Sequence, residues 1–362
     1  MTSPYGDGTR CAHAGLPRPV PGQPFLPSPV FGSAYHLGPD GPEPGVAGYG
    51  RTDNATWLAL EAAIAELEGG ACVTFASGMA AVSAALLTLV RPGETVLVPA
   101  DGYYKTRAFA AKLPGITVRA VPTAGPYPPL AGVRLLLLET PANPGLDVCD
   151  VAALSAEAHA AGALVAVDNT TATPLGQRPL DLGADLVVAS ATKALAGHSD
   201  LLLGYACARD EALAATLRDW RDHTGAIPGP LETWLVHRGI GTLDLRLARQ
   251  SATAAAVASL LAERGVPVRW PGLPTDPAYP IASRQMARIP GVVTFTLPDR
   301  PAADRFLGAA RLVFASTSFG GLHTTADRRE QWGDDVPPGL IRLSCGVEDT
   351  ADVVADIAAA LP

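Results

Sequence analysis

Hydrophobic positions along the chain fall into two alternating patterns from about residue 56 onward. Leu58, Leu60, Ile64 and Leu67 recur at the spacing of one helix face, and the glycine pair at residues 69–70 is typical of a helix end. Short apolar runs then alternate with alanine-rich stretches of helical character. This alternation predicts an α/β domain in which strands and helices follow one another along the chain.

The short apolar runs are the predicted strands. They are apolar at nearly every position, as expected of strands whose two faces are both covered by helices, so we predict a mainly parallel sheet. Ligands of such sheets bind at the carboxyl ends of the strands. The predicted strands are residues 72–75, 95–98, 134–138, 164–167, 186–189 and 202–207.

The pattern changes beyond Pro228 and Pro230. A long helical stretch at residues 243–264 is followed by well-separated strand candidates, which favours a smaller α+β domain. We therefore predict a large domain over residues 49–235 and a small C-terminal domain over residues 236–362. The further elements predicted in the small domain are strands at residues 292–297 and 340–343 and a helix at residues 351–361.

Residues 1–48 are crowded with proline and glycine, which prevents long helices and hinders sheet pairing. Such a segment is either disordered or an extended arm that lies on another surface. Phe25, Val30, Phe31 and Tyr35 offer apolar anchors for the second arrangement. We predict an extended N-terminal arm.

Composition narrows the class of protein. The chain has 362 residues, of which 48% are hydrophobic and 17% charged, so it belongs with ordered globular proteins. Its net charge of -8 disfavours binding to nucleic acid. No apolar run approaches the roughly 20 residues that span a membrane, and the first residues lack the apolar centre of a secretory signal. We therefore expect a cytoplasmic protein with no membrane partner.

Cysteine and histidine usage gives no sign of a metal site. The five cysteines are scattered and odd in number, and no CxxC pair occurs, so buried thiols in a reducing compartment are expected. The seven histidines form no HxH or HExxH pattern. No bound metal is predicted.

The strongest local signal for chemistry is Ser190-Ala191-Thr192-Lys193, directly after a predicted strand. Lysine forms Schiff bases with carbonyl cofactors, and the hydroxyl groups just before it could hold a phosphate while the amine reaches the carbonyl carbon. Taken alone, the motif favours a solvated surface lysine, and it gains weight only beside the motifs that follow.

A second predicted strand ends in Asp168. The carboxyl edge of a parallel sheet would place this carboxylate near the strand that leads to Lys193. Pyridoxal phosphate withdraws electrons effectively only while its ring nitrogen is protonated, and an adjacent carboxylate favours that cation. The alternative for Asp168 alone is a helix cap or a turn residue.

A third signal, Ser77-Gly78-Met79-Ala80-Ala81, follows another predicted strand and opens a helical run. A helix N-terminus that begins with glycine can bind phosphate through backbone N–H groups. A small residue and a glycine also begin helices for packing reasons alone, so this motif gains weight only beside the other two.

Taken together, these motifs resemble the Cys/Met metabolism family of pyridoxal-phosphate enzymes, which includes cystathionine γ-lyase, cystathionine γ-synthase and methionine γ-lyase. Matches in the family's order extend over roughly 300 residues, which is far more specific than any single motif. Besides the three motifs above, they are Tyr49-Gly50-Arg51, Leu67-Glu68-Gly69-Gly70, Pro141-Ala142-Asn143-Pro144, Val167-Asp168-Asn169-Thr170, Gln177-Arg178-Pro179-Leu180, Gly183-Ala184-Asp185, Gly197-His198-Ser199-Asp200 and the run from Arg342 to Asp349.

The resemblance implies a fold and a site. The fold would be the pyridoxal-phosphate-dependent transferase fold type I, like aspartate aminotransferase, with a mainly parallel seven-stranded sheet in the large domain. Lys193 would hold the cofactor covalently and act as the catalytic base, and Tyr103 would stack on the ring and assist proton transfer. The remaining cofactor residues would be Ser77, Gly78, Met79, Asp168, Thr170, Ser190 and Thr192, with Tyr49 and Arg51 arriving from a neighbouring subunit of a homotetramer. The substrate residues would be Asn143, Ser318 and Arg342.

The implied activity is α,γ-elimination from cystathionine, giving cysteine, 2-oxobutanoate and ammonia. A γ-replacement enzyme that joins a thiol to an activated homoserine is the alternative within the family, and a cofactor-binding protein without turnover is an alternative of another class. Tyr104 and Lys105 stand where the family commonly has two small residues, and Thr317 stands where cystathionine lyases often carry glutamate. Lys105 either attracts an anionic group of the substrate or points to solvent.

Overall fold

The fold is that of a computed structural model, which describes residues 4–41 and 47–362. Residues 1–3 and 42–46 of the predicted arm lie outside the described residues. The helices are α1 (Asp7–His13), α2 (Ala55–Glu68), α3 (Gly78–Leu89), α4 (Tyr104–Ala110), α5 (Val151–Ala160), α6 (Thr173–Gly176), α7 (Glu211–Thr224), α8 (Pro230–Ile240), α9 (Leu243–Glu263), α10 (Tyr279–Gln285), α11 (Arg300–Ala309) and α12 (Thr350–Ala360). A short 3₁₀ helix covers Arg329–Trp332.

Seven strands form the sheet of the large domain, in the order β1-β7-β6-β5-β4-β2-β3. Strand β7 runs antiparallel to both of its neighbours, and the other pairs are parallel. The predicted mainly parallel seven-stranded α/β fold is therefore confirmed. The strands are β1 (Ala71–Phe75), β2 (Thr95–Pro99), β3 (Thr117–Val121), β4 (Val133–Glu139), β5 (Leu164–Asp168), β6 (Leu186–Ser190) and β7 (Gly204–Ala208).

Alternate residues of the central strands pack on opposite faces of this sheet. In β4, Leu135 and Leu137 pack in the core that contains α3, whereas Leu136 and Leu138 pack in the core that contains α5. All four side chains are buried, because helices cover both faces. This double cover is why the sequence of each strand reads as an unbroken apolar run.

The second sheet has five strands in the order β10-β11-β12-β9-β8, and every pair except β10-β11 is antiparallel. Helices α9, α11 and α12 pack on it around Val257, Phe295, Phe306 and Ile357. A smaller α+β unit with its own core results. Its strands are β8 (Val268–Arg269), β9 (Val292–Thr296), β10 (Phe314–Ala315), β11 (Thr325–Arg328) and β12 (Leu340–Ser344).

Two observations bear on the predicted domain limits. Helix α8 runs across the predicted boundary between residues 235 and 236, and its Val236 and Ile240 pack in a core of the large sheet. We therefore propose that the small domain starts beyond α8. In the arm, α1 is a helix rather than an extended segment, and its Cys11 packs in the same core as Ile240.

Candidate active site

A cavity of about 340 Å³ opens where the carboxyl ends of three neighbouring strands meet residues of the smaller unit. Glu139 ends β4, Asp168 ends β5 and Ser190 ends β6, and all three line it. The cavity brings together twelve of the predicted site residues: Ser77, Gly78, Met79, Tyr103, Asn143, Asp168, Thr170, Ser190, Thr192, Lys193, Ser318 and Arg342.

Lys193 lies just beyond β6, and its ammonium group is held inside the cavity. Its Nζ donates a hydrogen bond of 2.7 Å to Ser318 Oγ and lies 5.3 Å from the ring centroid of Phe319. Burial lowers the pKa of Lys193 to about 8, with further lowering by the Arg342 and Arg329 guanidinium groups. A substantial neutral fraction is therefore available near neutral pH, as a nucleophile or general base requires.

Asp168 is fixed by the loop that follows β5. The Thr170 backbone N–H donates to Asp168 Oδ1 at 3.0 Å, and Thr170 Oγ1 accepts from the Ser190 N–H at 2.9 Å, so Thr170 joins the ends of two strands. Burial raises the pKa of Asp168, while the hydrogen bonds from Thr170 and the charge of Lys193 oppose the rise. A cation placed beside Asp168 would stabilise its ionised form further.

Helix α3 offers an anion site at its N-terminus. Ser77 caps the helix by accepting from the Ala80 N–H at 3.2 Å. Within the described part of the chain, the N–H groups of Gly78 and Met79 have no hydrogen-bond partner. A Cβ on Gly78 would lie 2.7 Å from the Ser190 Cβ, so only glycine lets this turn approach β6 so closely. Free N–H groups beside cavity hydroxyls fit a phosphate.

Arg342 lies on β12 of the second sheet and lines the cavity from there. Its Nη1 donates to Asn143 Oδ1 at 2.6 Å, and its Nη2 donates to the Ser318 carbonyl at 3.0 Å and to Asp327 at 3.2 Å. Burial lowers the pKa of Arg342 to about 10, so the group stays charged at neutral pH. Its buried Nε has no partner in the described part of the chain, which leaves a charged donor for a carboxylate.

Tyr103 follows β2 and directly precedes α4. Its ring meets that of Tyr104 edge to face, with centroids 5.3 Å apart, and burial raises the pKa of the Tyr103 phenol. Tyr104 also lines the cavity, whereas Lys105 is exposed, does not line it, and places its Nζ 5.1 Å from the Tyr104 ring centroid. The solvent-facing alternative for Lys105 is therefore the one that the structure favours.

Glu139 is a residue of the site that the sequence analysis did not identify. One carboxylate oxygen accepts from the Tyr103 N–H at 2.7 Å and the other accepts from the Asn143 N–H at 2.8 Å. Burial and the facing Asp168 carboxylate raise the pKa of Glu139 to about 8. Glu139 thus ties a predicted cofactor residue to a predicted substrate residue. Its signal in the sequence was a carboxylate at the end of a third apolar strand.

Three more lining residues carry no recognisable motif: Phe319, Arg329 and Trp332. Phe319 lies close to two cations, since its ring centroid is 5.3 Å from both Lys193 Nζ and Arg342 Cζ. The ring therefore attracts both the amine and the guanidinium group.

Tyr49 and Arg51 do not line this cavity. Tyr49 is half exposed, and Arg51 is exposed and donates to the Asp222 carbonyl at 2.7 Å. That they bind the cofactor of a neighbouring subunit stays a prediction. Over residues 4–41 and 47–362, no helix is long and apolar enough to cross a membrane, and no group of three or more potential ligand side chains could hold a metal.

The donor set fits one kind of cofactor. One cavity is lined by an amine with a lowered pKa, a buried carboxylate, a tyrosine ring and unpartnered N–H groups at a helix start. Each of these groups matches a different part of pyridoxal phosphate. Fold and cavity together define a pyridoxal-phosphate-dependent enzyme.

Comparison with known proteins also indicates a pyridoxal-phosphate-dependent enzyme. The sequence model of the Cys/Met metabolism PLP-dependent enzymes matches residues 31–362, and the chain belongs to that family.

The proteins that are similar to this chain are named for different activities within the family. A Streptomyces coelicolor protein named "Putative cystathionine gamma-lyase" is 54% identical, covering 98% of this chain and 93% of its own. A cystathionine gamma-synthase of Mycobacterium bovis is 36% identical and covers 98% and 97%. The crystal structure of a cystathionine gamma synthase from Xanthomonas oryzae pv. oryzae superposes with a TM-score of 0.93 at 32% identity, covering 99% and 98%.

Proposed function

We propose that the protein is a carbon–sulfur lyase of cystathionine γ-lyase type, which converts cystathionine to cysteine, 2-oxobutanoate and ammonia. The observation that carries this proposal is the meeting of Lys193, Asp168 and Arg342 in one cavity, because elimination needs a base, a partner for the electron-withdrawing cofactor ring and a carboxylate clamp together. The 54% identical relative with a lyase name supports it.

Four residues of the cavity have assigned tasks in this proposal. Bound pyridoxal phosphate supplies an aldehyde and an electron-poor ring. Lys193 Nζ takes a proton from the substrate α-carbon and returns one later, and its lowered pKa makes it neutral often enough to do so. Arg342 and Asn143 hold the α-carboxylate, and Ser318 holds the lysine amine in position between proton transfers.

γ-Replacement is the second candidate function. The cystathionine γ-synthases match this chain almost end to end, and the carboxylate clamp and the base serve both reactions equally. The two functions differ in the second reactant that is consumed, which is water in elimination and a thiol in replacement.

An assay of products separates these functions. Purified holoenzyme is incubated with cystathionine, cysteine, methionine and O-acylated homoserines, with and without an added thiol, and products are identified by mass. We expect 2-oxobutanoate and cysteine from cystathionine with no need for a thiol. A thioether product that forms only when thiol is added would establish replacement instead, and absence of turnover from all substrates would leave a binding protein.

We also propose a cytoplasmic homotetramer with active sites shared across each dimer. Five free, buried cysteines support a reducing compartment. Phe25 and Phe31 of the arm are exposed by 93% and 67%, and such apolar rings are suited to cover a second copy of the chain. Tyr49 and Arg51, exposed beside each other, would then reach the partner's phosphate.

Arg51→Ala is expected to weaken cofactor retention about tenfold, because a guanidinium contact to phosphate is lost while the chain's own cavity stays intact. The measurement is the pyridoxal phosphate that remains bound after dialysis at a series of protein concentrations. Arg119→Ala, at an exposed position on edge strand β3, is the matched control and should retain cofactor like the parent. Equal retention by both variants would contradict the shared site.

A further inference from the structure

The carboxylate clamp Arg342 is the first member of a buried row of alternating charges. Asp327 on β11 faces Arg342 on β12 in register. Arg329 follows at the start of the 3₁₀ helix, and Asp334 lies beyond it. The four side chains are exposed by only 3% to 7%, and the sequence carries no familiar motif here. A buried row of this kind is costly to build, so it calls for a functional explanation.

Asp327 divides its two oxygens between two arginines. Its Oδ1 accepts from Arg342 Nη2 at 3.2 Å, and its Oδ2 accepts from Arg329 Nη1 at 2.9 Å. The shorter contact is the one to Arg329, so Asp327 neutralises the clamp only in part. Arg342 therefore keeps positive charge for an incoming carboxylate.

Asp334 fixes Arg329 from the other side. Its Oδ2 lies 2.8 Å from Arg329 Nε and 2.6 Å from Nη2. Although Arg329 lines the cavity, each of its three guanidinium nitrogens contacts one of two aspartates. Its charge lowers the pKa of Lys193 through space, and it contacts Asp327, the partner of Arg342.

We propose that Asp327 and Arg329, anchored by Asp334, are positioning residues that hold Arg342 oriented and incompletely neutralised for the substrate carboxylate. This inference rests on the proposed function, in which Arg342 is the clamp. Without Arg329, both oxygens of Asp327 are free to form a two-pronged pair with Arg342. The aspartate then competes with the substrate for the same guanidinium group.

The neighbouring Arg328 provides a matched control. It is also on β11 and buried, with an exposure of 7%, and it pairs with Glu330 at 2.6 Å and with Asp304 at 3.4 Å. It does not line the cavity. Removing this arginine deletes a buried guanidinium group and its two charge pairs, whose carboxylates are partly exposed, without touching the row that includes Arg342.

The test compares two probes that differ only in the carboxylate: L-methionine and L-methioninamide. Their dissociation constants are measured on holoenzyme from changes in cofactor absorbance. Arg329→Met is expected to weaken L-methionine about tenfold and L-methioninamide less than about twofold. Arg328→Met should change neither. In an Arg342→Met background, adding Arg329→Met should produce no further loss, because both changes act through one contact.

The outcomes separate the two proposals. If Arg342→Met weakens both probes equally, the clamp is misassigned, and the proposed function and this inference fail together. If Arg342→Met is selective for the carboxylate but Arg329→Met is not, only the inference is overturned. Should Arg329→Met not fold, Asp334→Asn replaces it, since loosening Arg329 should give a smaller loss with the same selectivity. Equal weakening of both probes by Asp334→Asn would likewise overturn the inference.

Discussion

Replacing Lys193 with alanine is expected to lower turnover at least about a thousandfold, because general acid–base catalysis by a placed side chain contributes that much. The same change should abolish covalent capture of pyridoxal phosphate. The chain has only three lysines, and the other two, Lys105 and Lys112, are both exposed. Borohydride reduction followed by mass mapping of the labelled peptide therefore gives an unambiguous readout.

The pH dependence of capture provides an internal check. The neutral amine is the reactive form, and its fraction rises as pH increases through the pKa of about 8. Capture by apoenzyme should therefore become roughly tenfold faster between pH 7 and pH 9 and then level off. An exposed lysine would keep accelerating to about pH 10. Lys105→Ala should behave like the parent protein, and turnover that survives in Lys193→Ala would contradict the assigned role.

Most of the large sheet was predictable because burial on both faces leaves a strong apolar signal. Six predicted runs coincide with strands, although β7 begins at Gly204, two residues later than predicted. Strand β3 was not predicted, because it lacks this burial on both faces. It is one of the two edge strands, it is mostly exposed, and Arg119 interrupts its apolar pattern, so it lacks the signal of a covered strand.

The candidate site was predictable where chemistry follows a strand and unpredictable where it depends on tertiary packing. Asp168 and Lys193 each follow an apolar run, which places both at the same sheet edge. Glu139 also ends a strand, but only the fold shows that it receives N–H groups from Tyr103 and Asn143. The role of such a residue depends on contacts between segments that are distant along the chain, which the sequence pattern does not show.

The stretch around Arg329 illustrates the limit most clearly. In the sequence, Asp327, Arg329 and Asp334 are three charges in a segment without a motif, and charge runs usually mark a solvated surface. In the fold they are buried, because β11 lies inside the second sheet beside β12. Only the fold shows that these three side chains are buried beside Arg342, where we propose that they orient its guanidinium group.

Asp168→Asn is expected to lower kcat roughly a hundredfold with little change in the fold. Asparagine keeps the shape of the side chain and can still accept the Thr170 N–H, but it removes the negative charge. An opposite charge within about 4–6 Å shifts a pKa by about one to three units, so a ring nitrogen held beside residue 168 would lose much of its proton at neutral pH once the charge is removed. The measurement is kcat across pH, with bound cofactor quantified separately.

A chemical rescue tests this cause directly. An analogue of the cofactor whose ring nitrogen carries a methyl group has a permanent positive charge and does not need Asp168 to keep a proton. Reconstituting Asp168→Asn with this analogue should restore most of the lost rate, whereas Lys193→Ala should stay inactive with it. If the analogue restores nothing although it binds, Asp168 acts by holding the loop at Thr170 and Ser190 rather than by its charge. The electrostatic role would then be wrong.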